Sequence, residues 1–237
     1  MNVKEVAAAN FERHLRGNVY PGRGLVIGRT ESGSWAQIYW IMGRSENSRN
    51  RRFVVEGEIL RTEPIDASQV ANPELIIYEA MLELPGTYLV SNGDQTRTLA
   101  DTLKAGGMFD QALCTREREP DAPNYTPRIS GMLWLLDTGC PVTLSILKAN
   151  PADPELTDRY TYRPAPPPAG YGYGLTTYMG DGTPLPSFSG DPLFLPCQGD
   201  TGSLLDTYWQ ALDKDNRVAL AVKWIAGGSS RIVVQNR

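Results

Sequence analysis

Residues 24–43 read GLVIGRTESGSWAQIYWIMG. Two runs rich in β-branched and aromatic residues, Gly24–Arg29 and Trp35–Gly43, flank the turn-forming TESGS, so an antiparallel hairpin is expected. The same grammar recurs outward. Phe53–Leu60 reads as a strand. Leu75–Leu84 and Thr87–Ser91 read as a hairpin turning at Pro85-Gly86, and ISGMLWLLD (129–137) with PVTLSILKA (141–149) as a pair turning at Thr138-Gly139. Gly172–Tyr178, Arg217–Trp224 and Arg231–Val234 complete the strands, and GYGYG at 170–174 reads as close strand packing. The helical period appears in fewer places. Residues 1–16 form a predicted helix ending near Gly17, Asp94 caps a second that ends at Gly106-Gly107, Phe109–Cys114 is a short third, and Asp200–Leu212 carries Leu204, Tyr208 and Leu212 on one stripe. About ten strands in hairpins with three or four helices between them predict an α+β fold, two antiparallel sheets face to face with helices outside.

Composition narrows the function classes. The chain has 237 residues, 41% hydrophobic and 21% charged, with a formal net charge of −4. A chain of this length buries enough surface to need no staple, and its acidity argues against a nucleic-acid or membrane surface. One domain over 1–237 is expected, with 1–19 as a helical extension and the Pro-rich 150–170 as a surface excursion. Cys114, Cys140 and Cys197 are far apart with no CxxC, against a disulfide framework or a thiolate zinc site. The single histidine, His14, sits in the helical VKEVAAANFERHL, where a surface or packing role is expected, and HExxH is excluded. GxGxxG and the P-loop pattern are absent, and no run approaches the ~20 apolar residues of a membrane span. The first residues lack the apolar core of a signal peptide, so a reduced, cytoplasmic protein is expected.

Three segments carry chemistry. GRSENSRNRR (43–52) places Arg44, Arg49, Arg51 and Arg52 in a polar turn with Asn47 and Ser48. It reads either as an exposed basic turn or as a phosphate site built on guanidinium forks. VSNGDQTRTLAD (90–101) passes from strand to helix through Asn92-Gly93, where a positive φ is expected; it reads either as a structural turn or as an anion or carbonyl site. REREPDAPNYTPRIS (116–130) is either a solvated loop or a stiffened mount for a catalytic carboxylate, because Pro120, Pro123 and Pro127 restrict it. Without a usable histidine, proton transfer falls to Glu, Asp, Tyr or Lys.

YPGRGLVIGR, GRSENSRNRR, YLVSNGDQTRTLAD and NYTPRISG, in this order and spacing, resemble the archaeal-type IMP cyclohydrolases, and TTYMGDGTPLPSFSGDP with YWQALDKDNRVALAVKWI resembles their bacterial relatives. The resemblance runs from about Tyr20 to Lys223 and implies a four-layer αββα sandwich like that of N-terminal-nucleophile hydrolases. It implies ring closure of 5-formamidoimidazole-4-carboxamide ribonucleotide to IMP and water, with no metal or other cofactor, on a small purine nucleotide; a homo-oligomer is plausible by family analogy. By the same resemblance Arg44 and Arg49 hold the nucleotide or its oxyanion and Tyr78 donates a proton. Asn92, Gly93, Asp94 and Thr96 line the pocket, Thr126 and Arg128 complete it, and Glu119 transfers the proton, with Glu117 and Asp121 as alternatives. The extra N-terminal residues, the 150–170 stretch and the GDGTPLPSF loop depart from the archaeal pattern. No Ser, Thr or Cys stands where an amino-terminal nucleophile would. Those departures keep open another amide- or nucleotide-processing enzyme of this fold, or a purine-nucleotide-binding protein without catalysis.

Overall fold

The computed structural model describes residues 2–70 and 73–237. Thirteen strands are found among them: β1 Gly24–Arg29, β2 Trp35–Met42, β3 Arg52–Glu56, β4 Ile59–Glu63, β5 Glu79–Leu84, β6 Thr87–Ser91, β7 Arg128–Trp134, β8 Val142–Ala149, β9 Thr157–Tyr162, β10 Tyr171–Thr176, β11 Leu193–Pro196, β12 Arg217–Ala226 and β13 Ser229–Asn236. The helices are α1 Val3–Phe11, extended by a π turn over Glu12–Arg16, then α2 Glu46–Arg49, α3 Pro73–Ile76, α4 Gln95–Lys104, α5 Phe109–Cys114 and α6 Thr201–Ala211. A six-stranded sheet has the order β11-β10-β1-β2-β12-β13 and a seven-stranded sheet the order β3-β4-β5-β6-β7-β8-β9. Every ladder is antiparallel. The fold is α+β, as the hairpin grammar of the sequence predicts.

Alternation with period two builds both faces of the seven-stranded sheet. Ile129 and Leu133 of β7, Val90 of β6 and Leu144 of β8 face the six-stranded sheet. Their neighbours Met132, Leu89 and Leu147 pack with Leu99 of α4 and Phe109 and Leu113 of α5. On the six-stranded sheet, Trp40 lies against Tyr208 of α6 at a ring separation of 6.1 Å, while the adjacent Tyr39 turns inward to Phe53 at 5.5 Å. At Gly131 the two sheets pack closely. A methyl group there would lie 2.9 Å from Ile27 Cδ1 and 3.2 Å from Leu25 Cδ1, so the bulk on β1 needs a residue without a side chain opposite it.

Several boundaries differ from the sequence expectation. Phe53–Leu60 is two strands rather than one, because the chain reverses at Gly57-Glu58, a turn with no Asn-Gly or Pro signal. Leu75–Leu84 is strand only from Glu79, since Pro73 opens the short helix α3, its ring suited to a first helical position. β9 and β11 were not expected. β9 is polar on both faces and half-exposed, so it lacks hydrophobic alternation, and β11 is four residues long. Edges β3 and β13 are clipped together where Phe53 N donates to Asn236 Oδ1 at 2.8 Å and Asn236 Nδ2 donates to Phe53 O at 3.1 Å. No helix among the described residues is long and apolar enough to cross a membrane.

Gly131→Leu should overfill the space between the sheets. A loss of about 1–3 kcal/mol in unfolding free energy is expected, read by urea denaturation. Unchanged stability would mean that the sheets are not held at this spacing by β1 and β7.

Candidate active site

β1 and β7 begin, and β2, β6 and β10 end, at the same end of the sandwich, because Gly24 pairs with both Trp40 and Thr176 and Ser91 pairs with Ser130. The loops leaving these strand ends enclose a cavity of about 690 Å³. Its walls come from residues just before β1, the arginine turn after β2, the carboxylate loop before β7 and the GDGTPLP loop after β10.

Arg23 stands in the first wall and is 7% exposed. Its Nη2 donates to Glu119 Oε2 at 2.8 Å and its Nη1 to the main-chain oxygen of Asn92 at 2.9 Å. Burial pushes a guanidinium down, but the charge and hydrogen bond of Glu119, together with the Tyr78 and Tyr39 hydroxyls, outweigh it and hold Arg23 well above its ordinary value. Glu119 is 4% exposed, so the pair is a desolvated ion pair lining a polar cavity. Behind it, the Tyr39 and Tyr78 hydroxyls share a hydrogen bond of 2.7 Å, and burial raises Tyr39 well above its usual range.

The arginine turn supplies the second wall. Ser45 caps the short α2, and Arg51 is held by its own turn, Nε donating to Ser48 O at 2.8 Å and Nη2 to Met42 O at 3.1 Å. Arg44 reaches across the cavity mouth to the Asp181 carboxylate and to Gly182 O at 3.1 Å. Its guanidinium lies 5.1 Å from the Tyr20 ring centre, and Tyr20 stacks on Tyr178 at 6.0 Å. Asn47 Oδ1 is buried with no hydrogen-bond partner among the described residues, which leaves an acceptor at this wall.

The third wall is the loop over 119–126. Thr126 N donates to Asp121 Oδ1 at 2.6 Å, Thr126 Oγ1 donates to Asp121 Oδ2, and the Tyr178 hydroxyl meets Thr126 Oγ1. Tyr125 has φ 43°. A non-glycine residue keeps this left-handed conformation only where its surroundings fix it. Here Arg118 lies 4.3 Å over its ring and its hydroxyl donates to Glu155. Asn124 Oδ1 accepts from Leu185 N at 3.0 Å and ties this loop to the one after β10.

The residues expected from the sequence are therefore divided. Glu119, Arg44 and Thr126 line the cavity, as does Asp121. Arg49 does not; its Nε donates to Gly43 O at 2.9 Å and its Nη2 to Asn216, and Arg51 faces the cavity instead. Tyr78 lies behind the wall, against Tyr39. Asn92 is fully buried, with Nδ2 donating to Pro127 O and Oδ1 accepting from Ile129 N and Gln95 Nε2, so its side chain knits β6 to β7 rather than lining a pocket. Gly93 does not take a positive φ; its role is room, since a methyl group there would sit 2.5 Å from Arg128 Nη1. Asp94 occupies the N-cap of α4 without a capping bond, its carboxylate instead pairing with Arg116 and Arg128. Thr96 Oγ1 returns to Gly93 O at 3.0 Å. Arg128 donates to Asp94 and Gln95, and burial lowers its pKa. Glu117 is solvent-exposed, 4.0 Å from Arg159. Sequence reasoning missed Arg23, Tyr20, Asn124 and Tyr178, and it named Arg51 only as one of the four arginines of the turn; the signal for Arg23 is a lone cation between two glycines at the mouth of an apolar strand.

Removing one member of the buried pair should cost more than removing both. Arg23→Met is expected to lose about 3–5 kcal/mol of stability by stranding Glu119, and Arg23→Met with Glu119→Leu to recover a large part of it. Urea unfolding of the two variants measures this, and equal losses would contradict the pairing.

Known proteins supply the family. A model described as IMP cyclohydrolase-like protein matches residues 20–229. Relatives include the IMP cyclohydrolase of Methanococcus maripaludis strain C7, 29% identical over 119 residues, which are 48% of this chain and 58% of that protein. The IMP cyclohydrolase of Methanocaldococcus jannaschii is 28% identical over 116 residues, 48% of this chain and 57% of that protein. The chain thus spans little more than half the length of the curated relatives it matches. With the family match covering most of its length, including all the walls of the cavity, the chain belongs to the IMP cyclohydrolase-like family.

Proposed function

We propose that this protein closes the ring of 5-formamidoimidazole-4-carboxamide ribonucleotide to give IMP and water. The observation that carries the reading is the pairing, across one cavity, of an arginine turn with a buried Arg23–Glu119 ion pair in a chain of this family. The reaction joins two groups of one molecule, so holding them in a near-attack pose supplies much of the acceleration. Arg44, with the Ser45–Ser48 turn, takes the phosphate, exchanging the Asp181 carboxylate for it. Arg51, fixed by main-chain oxygens, contributes positive field at the same wall. Arg23 is a preorganised cation for the oxyanion that forms on the formyl oxygen. Glu119 keeps that cation paired and accepts a hydrogen bond from the carboxamide nitrogen. Tyr78 and Tyr39 set the polarity behind Arg23, and Asn92, Gly93, Asp94, Thr96 and Arg128 fix the turn on which Arg23 rests.

We also read the layering as a four-layer αββα sandwich over one domain, related to N-terminal-nucleophile hydrolases. In support, α1 packs on β11 and α6 on β12 and β13, while α4 packs on β5 and β6 of the other sheet. We infer a cytoplasmic protein, in keeping with a small purine nucleotide as substrate.

Purified protein supplied with the formamido ribonucleotide should form IMP, followed by absorbance, well above the uncatalysed rate; no formation would overturn the reading. Glu119→Gln should lower kcat by about 10²-fold, because it disturbs the cation that meets the developing charge. Two substitutions at the mouth should move KM in opposite directions. Arg44→Ala removes a charge-assisted phosphate contact and should raise KM by about tenfold. Asp181→Asn removes the competing carboxylate of a half-exposed pair and should lower KM by up to about fivefold. An unchanged KM in both would place the phosphate elsewhere.

A further inference from the structure

We propose that Tyr178, Thr126 and Asp121 form a proton relay that takes the proton from the attacking carboxamide nitrogen, with Asp121 as its terminus. The proposal rests on the ring-closure reading and adds to it the path of the proton. Hydrogen bookkeeping gives the relay a direction. Thr126 has one hydroxyl hydrogen, and it is committed to Asp121 Oδ2. Toward Tyr178 the same oxygen can therefore only accept, so the Tyr178 hydroxyl donates. The Tyr178 oxygen keeps its lone pairs and so accepts a hydrogen from a bound amide. All three residues line the cavity.

Two further observations favour this terminus over Glu119. Glu119 is locked to Arg23 in a nine-tenths buried pair, and protonating it would strand a guanidinium without a partner. Asp121 is half-buried, its carboxylate oxygens are held by the Thr126 N–H and hydroxyl, and it has no ion-pair partner among the described residues. The backbone is arranged to keep this geometry. The left-handed Tyr125 sits immediately before Thr126 and is clamped by Arg118 and Glu155. Burial holds the Tyr178 phenol protonated well above its ordinary range, so it passes a proton by gaining one as it gives one, without standing as a phenolate.

In the addition step the carboxamide nitrogen bonds to the formyl carbon and the carbonyl π pair moves onto oxygen. The nitrogen's proton passes to Tyr178 while the Tyr178 hydrogen moves to Thr126 and the Thr126 hydrogen to Asp121. In the elimination step the C–O bond breaks. The oxygen leaves as water, carrying the proton that Asp121 returns along the same chain and the proton of the former formamide nitrogen. Asp121 ends as a carboxylate, and the products are IMP and water.

Thr126→Val keeps the shape and the main-chain bond to Asp121 but removes the hydroxyl. In the ring-closure assay it should lower kcat by about 10²-fold or more with KM within about twofold of the parent. Thr126→Ser should restore kcat to within about threefold, because it restores the bridging oxygen. Tyr178→Phe should match Thr126→Val, and IMP affinity by calorimetry should be retained in each variant. Parent protein that forms no IMP would overturn the ring-closure reading and the relay together. Active parent protein with full kcat in Thr126→Val, or equal losses in Thr126→Val and Thr126→Ser, would overturn the relay alone.

Discussion

The buried guanidinium of Arg23 is the constraint around which this end of the molecule is organised. It precedes the first strand of the six-stranded sheet, accepts its orientation from the main-chain oxygen of Asn92 at the end of β6 in the other sheet, and is neutralised by Glu119 from the loop before β7. One side chain therefore joins both sheets and the loop that closes the cavity. A cation with so little exposure persists only while both acceptors stay in place. The position of Asn92 must therefore be fixed independently, which is what its own amide does. It donates to Pro127 O and accepts from Ile129 N and Gln95, locking the end of β6 to the start of β7. Order at the cavity is thus inherited from the sheet beneath it.

This arrangement explains which parts of the site were legible in the sequence. The hairpins at 24–43, 79–91 and 128–149 announce themselves through β-branched runs and turn residues, because their signals are local. The arginine turn and the carboxylate loop are likewise visible as concentrations of charge. Which arginine faces inward is not. Arg49 and Arg51 are two residues apart, and the choice is made by carbonyls at Gly43, Met42 and Ser48 that composition cannot reveal. Asn92, Gly93, Asp94 and Thr96 have the residue types of a ligand-binding turn, yet they spend their polar groups on β7, Arg128 and each other. A turn that binds an anion and a turn that braces a neighbouring strand use the same residues. Tyr178 was invisible for the opposite reason, since a tyrosine closing an apolar strand looks like core until its hydroxyl is seen to meet Thr126.

The fold-level misses have a common cause. β9 and β11 were overlooked because neither shows the alternation by which strands are found, β9 being polar throughout and β11 only four residues long. Both lie at sheet margins, where one neighbouring strand supplies all the pairing. Strand identity there is set by the partner already present.

The amide clip between Asn236 and Phe53 bears on how the molecule behaves among its own copies. A marginal strand with free N–H and C=O groups invites pairing with another chain. On β3 those groups at Phe53 are met by the side chain of Asn236 from the neighbouring sheet's last strand. The margin is thereby blunted without lengthening the sheet. At the far margin β9 presents charged Asp158 and Arg159 and is followed within a few residues by a run of three prolines, Pro166–Pro168. A chain with two open sheets thus resists growing into fibrils or sticky sheets of copies at either flank of the larger one, and it does so with one asparagine on one side and with charge and proline on the other.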